Sequence, residues 1–205
     1  MNCSSFPDAP AGRVVADASV LINLNASGHA KTIIAASCGV LYATTNAYAE
    51  VLDGERLGYA DARPMRELEG AGILRLVALN EADEPVYRSL IEGFAAQTLD
   101  DGEAATVAHA VANGAIALID EKKAQRICGQ RFPGTTVVTT ADLLLHHRVA
   151  NTLGDHHVGA IHAALVAARM HVPRHLLGDV VALLGDDRAL ECPSLPRRSV
   201  AGATR

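Results

Sequence analysis

Four acidic residues, each placed where an apolar segment begins or ends, define the chemistry open to this chain. Asp17 closes the run Arg13-Val14-Val15-Ala16-Asp17, and Asp120 ends Ala115-Ile116-Ala117-Leu118-Ile119-Asp120. Glu50 lies in Asn46-Ala47-Tyr48-Ala49-Glu50-Val51, and Glu103 follows a turn in Asp100-Asp101-Gly102-Glu103-Ala104-Ala105. A carboxylate at the end of a buried strand is costly to desolvate unless something positive meets it. Carboxylates ending neighbouring parallel strands converge on one edge of the sheet, where α/β proteins place ligands. Hard cations such as Mg²⁺ and Mn²⁺ take a few carboxylates, with waters completing an octahedron. A bound cation relieves the mutual repulsion, lowers the pKa of a bound water and stabilises charge on attacking and leaving oxygens. No convincing Ser-His-Asp or Cys-His set accompanies the acids, so they point to metal-assisted phosphodiester hydrolysis. Taken singly, each has a plainer reading. Glu103 could be a capping or first-turn acid, Asp17 and Asp120 solvated strand-end or N-cap acids, and Glu50 an exposed helix residue. Only the joint pattern favours a site.

The elements that must position these acids alternate short β-like runs with helical segments, which predicts a parallel sheet covered by helices. Strands are expected at 14–17, 40–43, 73–79, 115–119 and 135–138. Helices are expected at 19–25, 31–37, 45–53, 55–70, 81–97, 103–113, 121–131, 141–151, 157–170 and 174–184. Asp100 or Asp101 caps the helix that carries Glu103, and Gly114 ends it. The reading has three parts: a floppy leader at 1–12, one α/β domain at 13–185, and a mobile tail at 186–205 containing Pro193, Pro196 and Arg197-Arg198.

The motifs Val15-Ala16-Asp17-Ala18-Ser19, Ala49-Glu50-Val51, Leu99-Asp100-Asp101-Gly102-Glu103-Ala104 and Leu118-Ile119-Asp120-Glu121-Lys122-Lys123-Ala124 resemble, in order, those of PIN-domain proteins. The likeness is closest to the branch with a Gly-Glu-Ala motif, and it covers roughly 13–151. It implies an α/β/α three-layer sandwich with a central parallel sheet and a ribonuclease dependent on Mg²⁺ or Mn²⁺. Many such relatives are VapC-type toxins held in check by a small antitoxin. Carried over position by position, Asp17, Glu50, Glu103 and Asp120 match the acidic quartet. Ser19 matches a hydroxyl residue that orients the first carboxylate or a metal-bound water, and Glu121 an auxiliary acid. The chain departs from the branch in its length, and in Ala141-Asp142 standing where Gly and an apolar residue are usual. Asp142 is a further candidate acid, although a helix N-terminal role is preferred for it. Lys122, Lys123 and Arg126 are candidates for contacting RNA phosphates, against the plain alternative of a solvated helix face.

Composition narrows the remaining classes. A length of 205 residues with 49% hydrophobic content supports one sizeable core. Aromatics make up 3% and Trp is absent, which excludes a base-stacking platform and implies an aliphatic, Ala-rich interior. A net charge of −5 argues against a broad basic surface but leaves a local one open. Cys3, Cys38, Cys128 and Cys192 form no CxxC pair and read as reduced thiols of a cytoplasmic protein. No segment has the length of a membrane span. No GxGxxG follows the first strand, which removes a dinucleotide-binding fold, and the lack of a second acid two residues after Asp17 weakens an aspartyl-phosphatase reading. Seven of nine histidines fall within 146–175 and are expected on helix surfaces, since no pair has zinc spacing around a glutamate. The expected partners are an RNA substrate, an antitoxin and a second copy of the chain. The rival reading is a PIN-like scaffold kept as a protein- or RNA-binding module with little catalysis.

Overall fold

The short apolar runs Val-Val-Ala, Leu-Tyr-Ala-Thr and Ile-Ala-Leu are buried on both sides, and such strands pair in parallel when helices cover both faces of a sheet. In the computed structural model, which describes residues 4–196 apart from 9, 11, 57 and 59, they form its centre. The strands are β1 (Val14–Ala16), β2 (Leu41–Thr44), β3 (Leu74–Val77), β4 (Ile116–Leu118) and β5 (Val137–Val138). Their order is β3-β2-β1-β4-β5, and every pairing is parallel. Ala16 lies opposite Ala43 on one side and Leu118 on the other, so the ends of β1 and β4 are in step.

Alternation along the strands divides the interior into two layers. Val14, Ala16 and Leu118 join a core with Leu21, Ile34 and Leu144. Val15, Ala117 and Ile119 join another with Val107, Ala110 and Ile127. The first layer includes α1 (Ala18–Ala26), α2 (Ala30–Ser37), α8 (Thr140–Leu145), α9 (His147–Leu153), α10 (His157–Ala167) and α11 (Leu177–Leu184). The second includes α5 (Glu84–Ile91), α6 (Asp101–Asn113) and α7 (Lys122–Arg131). Helices α3 (Thr45–Arg56) and α4 (Ala62–Gly70) complete the β2–β3 crossover. The result is the expected three-layer α/β/α sandwich. The Ala-rich α6 is buried from Gly102 to Ala110 except at Glu103, because small side chains let it lie close to the sheet. It stops at Gly114, whose φ of 60° gives the left-handed turn that glycine supplies without strain.

Four expectations need correction. The helix expected at 141–151 is two, α8 and α9, broken at His146, which adopts extended φ/ψ of −64°/133°. His146 is fully buried rather than on a helix surface, as is nearly the whole of His157, whose Nε2 lies 2.7 Å from the Leu144 carbonyl. The described part of the leader is fastened rather than floppy. The Ser4 hydroxyl donates to the Asp142 carbonyl at 2.6 Å, the Ser5 N–H donates to Asp142 Oδ1 at 3.0 Å, and Phe6 is buried with its ring edge-on to His146. Asp8 Oδ1 then meets His146 Nε2 at 2.9 Å and His147 Nδ1 at 3.3 Å. The segment expected as a mobile tail begins instead with α12 (Asp186–Glu191), and Ala189, Cys192 and Leu195 enter the core. One buried residue every third position was too sparse a signal to outweigh the prolines. Residues 197–205 lie outside the described residues. Among the described residues no helix is long and apolar enough to cross a membrane.

Candidate metal centre

The turn out of β1 places Asp17 as the N-cap of α1, and the chain leaves β4 through Ile119 into Asp120. The Asp17 N–H donates to the Leu118 carbonyl at 3.1 Å, which locks the two strand ends together. The sheet reverses its order between β1 and β4, so both carboxylates stand in the crevice where ligands enter such folds. Glu103 arrives on the first turn of α6, where its Oε2 accepts from the Asp100 N–H at 3.4 Å. Asp17, Ser19, Glu103, Asp120 and Glu121 line one cavity of about 310 Å³, closed on another side by 168–171.

Glu50 comes from α3 and lines an adjoining cavity with Asn25 and Asp61. Its Oε1 accepts from the Gly102 N–H at 2.8 Å, so one oxygen is spent on the N-terminus of α6. Glycine lets this approach form: a Cβ on residue 102 would stand 2.6 Å from Glu50 Oε1 and push that carboxylate aside. Burial raises the Glu50 carboxyl, and the nearby charges of Asp17, Asp101 and Asp100 raise it further.

Each acid is held above its ordinary proton affinity, with burial the largest cause. Asp17, nearly fully buried, is raised by desolvation against the opposing pull of the Ser19 hydroxyl, which donates to Oδ2 at 2.9 Å, and of nearby backbone N–H groups. Glu103 is pushed up to about 7 by desolvation and then by the charge of Asp17. Asp120 is pushed up to about 6 by burial, in spite of three donors. These are the Thr140 N–H to Oδ1 at 2.7 Å, the Thr140 hydroxyl to Oδ2 at 2.5 Å, and the Asn23 amide to Oδ2 at 2.7 Å. Among the described residues no Lys or Arg forms an ion pair with any of the four. Buried Asp17 Oδ1 has no hydrogen-bond partner among them. A buried oxygen without a donor, amid crowded acids without a cation, is the donor set that fits a hard divalent ion.

Four other candidates from the sequence do not line the acidic cavity. Asp142 is the N3 acid of a capping box on α8, where it accepts from the Thr139 N–H and hydroxyl and from the leader; it is not among the residues lining the acidic cavity. Arg126 donates to the Ala96 carbonyl at 3.2 Å and to Gln130, so its guanidinium fastens a loop. Lys122 is exposed and Lys123 half-buried at the start of α7, and neither lines the acidic cavity. Sequence reasoning missed Asn23, Thr140, Arg169 and His171. Asn23 carried a signal, as a polar residue one helical turn beyond Ser19 on an otherwise apolar stretch. Thr140 carried a weaker one, in a Thr-Thr pair ending β5. Asp8, His146 and His147 form a separate group whose ligand-type atoms lie within 4.8 Å of one another at the leader clamp.

The parallel sheet with an acid-lined crevice at its switch point defines a three-layer α/β/α domain. A PIN-domain family model matches residues 13–186, and the chain belongs to the PIN-domain family. PIN domains are generally nucleases that bind divalent metals, and they commonly associate with RNA. No curated protein and no solved structure matches the chain.

Proposed function

We propose that the protein is an endoribonuclease dependent on Mg²⁺ or Mn²⁺, with Asp17, Glu50, Glu103 and Asp120 holding the cation directly or through water. The observation that carries this reading is the buried Asp17 Oδ1, left without a hydrogen-bond partner beside a cavity where Glu103 and Asp120 are also held above their ordinary proton affinity. The cation supplies an activated water and stabilises charge on the phosphate oxygens. The chain's own residues do the positioning. Ser19 holds Asp17 Oδ2 and leaves Oδ1 free, while Asn23 and Thr140 fix Asp120 in one orientation. Gly102 draws Glu50 toward the start of α6, and Glu121 adds negative charge at the rim. The reaction is in-line: a water oxygen bonds to phosphorus as the bond to the leaving ester oxygen breaks, giving a phosphate monoester and a free hydroxyl.

The order of motifs supports a finer reading, a toxin restrained by an antitoxin, with self-association as a homodimer. Co-purification with the product of the adjacent gene tests the first, and sedimentation of the isolated chain tests the second. For the chemistry, purified protein is incubated with RNA and Mn²⁺, with and without chelator. Cleavage is expected only with the metal, and Asp17→Ala is expected to abolish it while leaving the melting curve cooperative. Cleavage by Asp17→Ala at the wild-type rate would refute the assignment. The capture of Arg126 by a loop favours the rival reading, a binding module with little catalysis, which predicts no thermal shift with Mn²⁺.

A further inference from the structure

Helix α10 ends in a way that costs stability. The Ala164 carbonyl accepts from both the Ala168 and Met170 N–H groups, each at 3.2 Å, and the residue between them turns left-handed. Helices usually close such a turn with glycine. Here the residue is Arg169, whose φ of 54° is the one positive value at a non-glycine position among the described residues. A side chain kept in a disfavoured backbone conformation implies that the side chain is needed there. The location supplies the need. Arg169 lines the cavity of Asp17, Glu103 and Asp120, and also the adjoining cavity of Glu50. It stands on the wall that separates them and is exposed, with no hydrogen bond or ion pair among the described residues.

An acid-lined cavity repels the phosphodiester that the proposed reaction requires, and a cation at its edge must offset that repulsion. Lysine offers a point charge, whereas arginine offers a planar fork that matches phosphate oxygens. We infer that Arg169 seats an RNA backbone phosphate beside the acidic centre, bridging its two cavities, an inference that rests on the nuclease reading. Met170 behind it is buried and anchors the wall, while His171 lines the same cavity near Lys122. The turn therefore aims the guanidinium outward from a fixed base.

The full-length wild type is compared with Arg169→Gly and Arg169→Lys by melting, cleavage and binding. Glycine relieves the left-handed backbone, so Arg169→Gly is expected to melt at, or about 2 °C above, the wild-type temperature. Its Mn²⁺-dependent kcat/KM on a short single-stranded RNA is expected to fall about 10- to 100-fold, with a smaller loss for Arg169→Lys. RNA binding is measured against salt in an Asp17→Asn background, so that the RNA stays intact. There Arg169→Gly is expected to weaken affinity and reduce the salt slope by about one. Wild-type cleavage and an unchanged salt slope in Arg169→Gly overturn the inference and leave the nuclease reading intact. A wild type that never cleaves overturns that reading instead, and the binding comparison then decides Arg169 alone. A variant that melts below the wild type assigns Arg169 to the fold and also overturns the inference.

Discussion

Replacing Asp120 with asparagine should make the metal-free protein more stable at alkaline pH and not at acidic pH. Asp120 is 5% exposed, and burial holds its carboxyl at about 6 against an ordinary 3.8. A gap of about two pH units, at about 1.4 kcal/mol each, amounts to about 3 kcal/mol. The folded pKa lies above the unfolded one, so between them the native state keeps a proton that the unfolded chain has released. This group's contribution is therefore fully present below about pH 4 and is lost as pH rises through about 6. Asparagine has no proton to lose. Its amide must keep oxygen where the Thr140 N–H points, which puts the NH₂ at the Oδ2 position. There the Thr140 hydroxyl can rotate to accept, and the Asn23 amide can flip to present its oxygen. With both polar atoms of the 120 side chain still partnered, the substitution acts chiefly on the charge. Chelator-treated Asp120→Asn should gain about 1–3 kcal/mol at about pH 8, or about 3–10 °C in Tm, with the gain collapsing near pH 4. Urea and thermal melts at both pH values measure it. A variant no more stable than wild type at about pH 8, or equally stabilised at both, refutes the argument.

Three further outcomes follow from the same geometry. Glu103, at about 7 against an ordinary 4.5, should make chelator-treated wild type lose stability as pH rises through neutrality, and saturating Mn²⁺ should flatten that slope in a thermal-shift assay. Gly102→Ala puts a methyl 2.6 Å from Glu50 Oε1, and the Glu50 side chain can swing away, so a cost of no more than about 1 kcal/mol in urea denaturation is expected, with at least a tenfold loss of cleavage although every carboxylate remains. Unchanged activity would separate Glu50 from the reaction. Phe6→Ala should cost about 3 kcal/mol by the same denaturation measurement, whereas a leader that made no contact would give no change.

The sheet and the strand-ending acids were legible because both follow from local rules. Val14-Val15-Ala16 and Ile116-Ala117-Leu118 are too short and too apolar to be exposed helix, and an acid at the end of each marks the sheet's edge. Glu103 was legible from the turn before it. The groups that orient these acids were not. Thr140 reaches Asp120 across 20 positions and Asn23 across 97, partnerships that exist only after β1, β4 and β5 have aligned. The break at His146 was hidden for the same reason, since its partner Asp8 lies 138 residues away. Asp142 is the helix N-terminal acid that its position favoured over a ligand, and only the leader that also occupies it was hidden.

Asp17, Glu103 and Asp120 reach the crevice, and Glu50 the cavity beside it, by two kinds of support. Asp17 and Asp120 follow the ends of adjacent strands in fixed register, with Asp120 one position further along, so main-chain pairing limits the span between them. Glu50 and Glu103 hang from helices on longer side chains with an extra rotatable bond. An ion of different radius would find one rigid jaw and one compliant jaw, and tolerance among divalent ions would be decided on the glutamate side.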